Sequence, residues 1–133
     1  MNNEFVEYYE MFPAGTYYIG DFCYILKERD YEDIVCSFEY DEQPYKYKKF
    51  LFCFNNTAYG DGLYEDQYGN KYAVDSGTIG IINIATKVML KEANKLVKDK
   101  LANVVTFDEP FYVSCCGGVF EFGNIKIDTN EDY

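Results

Sequence analysis

The stretch Lys48-Lys49-Phe50-Leu51-Phe52-Cys53-Phe54-Asn55 (KKFLFCFN) constrains the fold more than any other part of the chain. Its unbroken apolar centre lacks the apolar-polar alternation of a strand with one wet face and suits a strand covered on both sides. A strand of that kind implies a sheet with further layers packed against it. The remaining sequence agrees with β structure, because 15 Tyr and 11 Phe, with no Trp and no His, recur in short aromatic and β-branched runs punctuated by glycine. A chain of 133 residues that is 48% hydrophobic fits one domain over 1–133 with one core, an acidic lead-in over 1–13 and a frayed tail over 129–133.

Glycines and turn residues divide the rest into elements. Gly15 to Gly20 (GTYYIG) reads as a strand and Asp21 to Leu26 as a second apolar run. Asp30 to Phe38 predicts a short helix, with Asp30 as N-cap and Tyr31, Ile34, Val35 and Phe38 at helical intervals. Tyr59-Gly60-Asp61-Gly62 is a tight-turn signal that would pair 57–59 with 63–65. Tyr68-Gly69-Asn70-Lys71 marks a second turn, followed by strands over 72–74 and 78–82. Ile84 to Leu101 predicts the one long helix, with Leu90, Ala93, Val97 and Leu101 as its apolar stripe and Lys87, Lys91, Lys95 and Lys98 largely off it. Strands over 103–107, 110–116, 119–122 and 125–128 follow, turning at Gly117-Gly118 and Gly123-Asn124. The expected fold is therefore mainly β (α+β), an antiparallel β-sandwich or barrel with one principal amphipathic helix.

Charge and cysteine usage narrow the partners. With 12 Lys and Arg against 23 Asp and Glu, the net charge of −11 repels phosphate backbones and anionic lipids, so neither nucleic acid nor membrane is an expected partner. No apolar run reaches the roughly 20 residues that cross a bilayer, and no basic-then-apolar leader opens the chain. Five cysteines without a CxxC spacing fit a reducing, cytoplasmic setting with all thiols reduced, and adjacent Cys115 and Cys116 would point to opposite faces of a strand. The Tyr, Phe, Asn, Lys and Ile content also suggests an AT-rich genome.

One stretch invites a catalytic reading. Val74-Asp75-Ser76-Gly77-Thr78 looks like the Asp-Ser/Thr-Gly loop of pepsin-like and retroviral peptidases, in which two aspartates share a proton, so a dimer could supply the pair through Asp75. Against it, Ala58 to Gly62 resembles a flap yet precedes the loop, and a helix follows Ile82 where a β segment is expected. The architectural reading makes Asp21 and Asp75 turn-closing acceptors for backbone N–H groups. Without His, no Ser-His-Asp or Cys-His relay can form and zinc loses its commonest nitrogen ligand. Gly15 and Gly20 lack the spacing and lysine of a phosphate loop, and Asp61, Glu65, Asp66 and Asp75 lack the spacing of an EF-hand. No cofactor and no metal are expected.

Tyr17 to Tyr24 (YYIGDFCY), Gly62-Leu63-Tyr64 with Gly69, the run Tyr72 to Gly80, and Gly118-Val119-Phe120 with Phe122 to Thr129 together resemble a set of small uncharacterised proteins from bacteriophages, giant viruses and some bacteria. The resemblance spans most of the chain in the same order, and Phe22 departs from the proline expected there. It implies a viral or phage-like origin without a mechanism. The favoured expectation is a non-enzymatic binding protein that engages a host or viral protein, or a small ligand, through Tyr17, Tyr18, Asp21, Tyr24, Tyr59, Asp61, Tyr64, Tyr68, Tyr72 and Asp75, since Tyr offers large, rigid contact area.

Overall fold

The computed structural model describes residues 10–36 and 45–130. Among the described residues, eleven strands fall into three antiparallel sheets. β1 (Glu10–Phe12), β9 (Phe111–Cys116), β10 (Val119–Phe122) and β11 (Ile125–Asp128) form a four-stranded sheet in the order β1-β9-β10-β11. β3 (Tyr45–Tyr47), β4 (Phe50–Asn56), β7 (Thr78–Asn83), β2 (Gly15–Gly20) and β8 (Asn103–Phe107) form a five-stranded sheet in that order. β5 (Gly62–Glu65) and β6 (Lys71–Val74) make a separate hairpin.

The five-stranded sheet lies at the centre, and side-chain alternation sends its residues to two different cores. Tyr17 and Ile19 of β2, Cys53 of β4, and Ile79 and Ile81 of β7 pack against Val113, Cys115, Phe120, Phe122 and Ile127 of the four-stranded sheet. From the opposite face Tyr18, Phe52, Phe54 and Ile82 pack against Phe22, Ile25, Ile34, Met89 and Ala93 of the helical layer. The double covering expected of KKFLFCFN is what β4 shows, with Phe50, Phe52 and Phe54 on one side and Cys53 on the other. Neither large sheet closes on itself among the described residues, so the sandwich form is the one adopted.

Gly80 shows how close these layers lie. A Cβ there would stand 2.5 Å from the Cys53 carbonyl oxygen and 2.7 Å from the Phe22 ring, so only glycine lets β7 lie this close to β4 beneath Phe22.

Among the described residues, two α-helices cover the sheet. α2 runs over Lys87–Lys98, shorter than the Ile84–Leu101 expected. Thr86 starts it by accepting from the Met89 N–H at 3.1 Å, and Lys100 ends it with φ +61, which brings the Leu101 N–H onto the Leu96 carbonyl. Its buried stripe is Met89 and Ala93, flanked by Leu96, whereas Val97 is exposed, so the helix is rotated from the stripe expected. Both stripes carry apolar residues at helical spacing, and periodicity alone does not choose between them. α1 (Glu28–Val35) begins earlier than expected, and Asp30 lies in its first turn, paired with Lys48, rather than at the cap. Positions 37 and 38 of that expected helix lie outside the described residues.

Other boundaries move for local reasons. Residues 57–61 form a loop and β5 pairs with β6, not with 57–59, because the Thr57 and Tyr64 hydroxyls both donate to the Gly60 carbonyl and fold the segment on itself. The lead-in contributes β1, and Thr129, expected to fray, is fully buried and donates to the Gly118 carbonyl at 2.6 Å.

Candidate functional site

Strand ends place several of the quoted segments together. β2 and β4 finish, and β7 starts, at the same end of the central sheet, where Gly20 pairs with Gly80 and Asn56 with Thr78. Val74 of β6 pairs there with Gly62 of β5, and the Gly117-Gly118 turn of the β9-β10 hairpin meets Thr129. Segments 20–24, 57–62, 74–78, 116–119 and 128–130 thus form one loop-bearing end, tied by the Thr57 N–H to the Gly77 carbonyl and the Ala58 N–H to Thr129 Oγ1.

Asp21 organises this end. Its side chain is fully buried; Oδ2 accepts from the N–H groups of Asp75 at 2.8 Å and Ser76 at 2.7 Å, and Oδ1 accepts from the Cys23 N–H at 2.9 Å and the Ser76 hydroxyl at 2.7 Å. The turn of Phe22–Tyr24 and the turn at Ser76-Gly77 are therefore closed by one carboxylate, and Gly77 takes the positive φ of +79 that the second turn requires. Tyr18 adds a fifth tie by donating to the Asp21 carbonyl at 2.6 Å. Ser76 Oγ also lies 2.8 Å from Thr78 Oγ1 and within reach of Tyr31.

Asp75 has a different part from the turn-closing one expected. Its N–H is held by Asp21, while its own exposed carboxylate receives the Tyr24 hydroxyl. Partial burial, with that hydrogen bond and the Asp75 charge, pushes the Tyr24 hydroxyl pKa well up. Burial first, and the charge of Asp21 second, push the Cys23 thiol up to about 12, which leaves it protonated and weakly nucleophilic at neutral pH. The two aspartates meet in space, but each faces hydrogen-bond donors instead of the other.

The expected tyrosine surface divides in two. Tyr17, Tyr18, Tyr64 and Tyr72 are buried with their hydroxyls spent inside the chain, so packing removes them from any partner's reach. Tyr17 donates to the Pro13 carbonyl at 2.7 Å, and Tyr72 donates to Asp66 Oδ2 at 2.7 Å. Asp21 is likewise inaccessible. Tyr24 remains partly open, and Tyr59 at 66% and Tyr68 at 62% exposure lie at the surface, as does Asp61. Of these, Tyr24, Tyr59, Asp61 and Asp75 belong to the loop-bearing end, whereas Tyr68 lies in the β5-β6 turn.

That turn contains a residue not read from the sequence as a turn organiser. Buried Asp66 accepts from the Tyr68 and Asn70 N–H groups, the Asn70 side-chain amide and the Tyr72 hydroxyl. The signal was present in Asp66-Gln67-Tyr68-Gly69-Asn70, where an Asx-type turn has its acceptor two residues before the Tyr68 donor. Glu65 pairs with Lys71, so the four acids weighed for calcium have separate engagements or, for Asp61, an exposed position.

Apart from this end, a cleft of about 320 Å³ lies between segment 25–27, the start of β4 and the start of α2. Ile25, Leu26, Phe50 and Met89 form its apolar wall, with Lys27 and Lys49 on its rim. None of the tyrosines proposed from the sequence lines it.

Comparison with known proteins finds no family model, no curated protein and no solved structure that matches the chain. Among the described residues, no helix is long and apolar enough to cross a membrane.

Proposed function

We propose that the chain is a non-enzymatic binding protein of viral or phage type that engages a protein partner through the loop-bearing end of its sheets. The observation that carries the reading is the internal bracing of that end: Asp21 and Thr129 accept from backbone N–H groups of neighbouring loops and the Thr57 N–H donates to the Gly77 carbonyl, while Tyr24, Tyr59, Asp61 and Asp75 remain accessible. Loops fixed before binding lose little conformational entropy on association, and rigid tyrosines beside acids suit a partner with a basic surface. The chain's net charge of −11 acts in the same direction.

The peptidase reading draws less support. A dimer that shares a proton between two Asp75 carboxylates needs each of them turned to its counterpart and to water, whereas the Asp75 carboxylate is engaged by the Tyr24 hydroxyl of its own chain. A small-ligand reading rests on the cleft beside Phe50 and Met89, whose volume and apolar wall are of the kind small molecules use.

Replacing Tyr59 with a photo-crosslinking amino acid tests the protein-partner reading, with Tyr112, 63% exposed on the outside of the four-stranded sheet, as the comparison position. A discrete adduct formed from position 59 and not from position 112 is expected in cells that carry the protein. Equal labelling from both positions, or no adduct from 59, would overturn the assignment of this face.

A further inference from the structure

We propose that Cys53 and Cys115 form a redox-responsive pair which a peroxide closes into a disulfide joining the two large sheets. Cys53 projects from β4 of the five-stranded sheet and Cys115 from β9 of the four-stranded one, and their sulfurs lie 3.2 Å apart. The residues are 1% and 0% exposed and stand 62 positions apart in sequence, so it is the layering of the sheets that brings them together.

Backbone pairing fixes both positions. Cys53 sits opposite Ile81 and Cys115 opposite Phe120, while the Asn55 side-chain amide donates to the Cys115 carbonyl at 3.1 Å as a second tie between β4 and β9. To reach an S–S bond of about 2.05 Å the sulfurs must approach by about 1.2 Å, which small side-chain torsions supply without moving either strand far. Cys23 and Cys36 are more accessible, but neither has a second sulfur against it among the described residues.

The chemistry balances with one peroxide as the oxidant. One cysteine, as thiolate, attacks a peroxide oxygen and breaks the O–O bond, giving a sulfenic acid and a hydroxide that takes up the released thiol proton as water. The second thiol then loses its proton and attacks the sulfenyl sulfur; the S–OH bond breaks and a second water leaves. Two thiols and one hydrogen peroxide become one disulfide and two waters, and the two electrons lost by sulfur reduce the peroxide. Burial sets the pace, since the oxidant enters only when the sheets part locally. It also sets the product, because a sulfenic acid formed here has its resolving thiol beside it while further oxidant is kept out.

The test uses Cys23→Ser/Cys36→Ser/Cys116→Ser, which retains only the proposed pair. After hydrogen peroxide treatment, alkylation in denaturant and digestion without reductant, mass spectrometry should find the peptides containing 53 and 115 joined with loss of two hydrogens. The closed loop constrains the unfolded chain, so the melting temperature should rise by roughly 10 °C and return on dithiothreitol treatment. Adding Cys115→Ser should remove both effects. Two thiols that still alkylate fully, oxidation that proceeds to sulfinic acid, or a linked form that melts no higher than the reduced one would overturn the proposal. If the triple variant does not fold, peptide mapping of the peroxide-treated wild type decides: a 53–115 link supports the proposal, and any other pairing or none refutes it.

Discussion

Removing the Asp21 carboxylate should damage this protein more than removing that of Asp75, although Asp75 occupies the position that looks catalytic. Asp21→Ala strips the acceptor from the N–H groups of Cys23, Asp75 and Ser76 and from the Ser76 hydroxyl. The hydroxyl has Thr78 as an alternative partner, which leaves three backbone donors without one. At roughly 1 kcal/mol each, the low end for a buried unsatisfied group, the loss is about 3 kcal/mol, and about 5 if water does not enter. Asp21→Asn keeps one oxygen for the Asp75 and Ser76 donors but turns an NH₂ toward the Cys23 N–H, so about 1–3 kcal/mol is expected. Asp75→Ala and Asp75→Asn perturb an exposed side chain with one hydrogen bond to Tyr24 and should each cost at most about 1 kcal/mol. Urea unfolding followed by tyrosine fluorescence measures all four, with unchanged m-values licensing the comparison. An Asp21→Ala midpoint within error of wild type, or an Asp75→Ala loss equal to it, would refute the account of this end.

Gly80→Ala should lower stability by about 3 kcal/mol or more, or prevent folding, because the added methyl overlaps the Cys53 carbonyl and the Phe22 ring; a soluble variant with the wild-type midpoint would contradict that packing. Alkaline pH should destabilise the chain. The Cys23 thiol is raised from 9.0 to about 12 and the Tyr24 and Tyr72 hydroxyls are raised above 10.0, so stability held below about pH 9 is lost as pH climbs through the folded values. Urea midpoints between pH 7 and 11 should fall above pH 9, and a flat profile would argue against the raised values of these three groups. Purified chain incubated with unstructured peptide substrates from about pH 4 to 7 should show no cleavage; pepstatin-sensitive cleavage lost in Asp75→Asn would restore the peptidase reading.

Local chemistry made some of this structure legible. The doubly covered β4 followed from its apolar run, and the turns at Gly117-Gly118 and Gly123-Asn124 followed from glycines with positive φ. α2 was visible in its period, but its ends were set by the Thr86 cap and by Lys100 in the left-handed region, a position where glycine is the usual signal. The site was harder to see. Asp21 and Ser76 are 55 residues apart, and no local pattern announces that a carboxylate will close a turn on another strand. Tyrosine was misleading for a related reason: Tyr17 and Tyr18 are buried because their hydroxyls find backbone carbonyls nearby, which composition does not reveal. The facing sulfurs of Cys53 and Cys115 likewise depend on sheet layering, whereas the sequence drew attention to the adjacent Cys115 and Cys116.

Amide hydrogen exchange on the chain, alone and saturated with the partner captured at position 59, tests the central claim most directly. The account predicts that Cys23, Asp75 and Ser76 are already protected in the isolated chain, since their N–H groups are bound to Asp21, and that the partner slows exchange further at 57–62 and 74–78. Exchange of those three amides at unstructured rates, or partner protection confined to the cleft around Ile25, Phe50 and Met89, would contradict it.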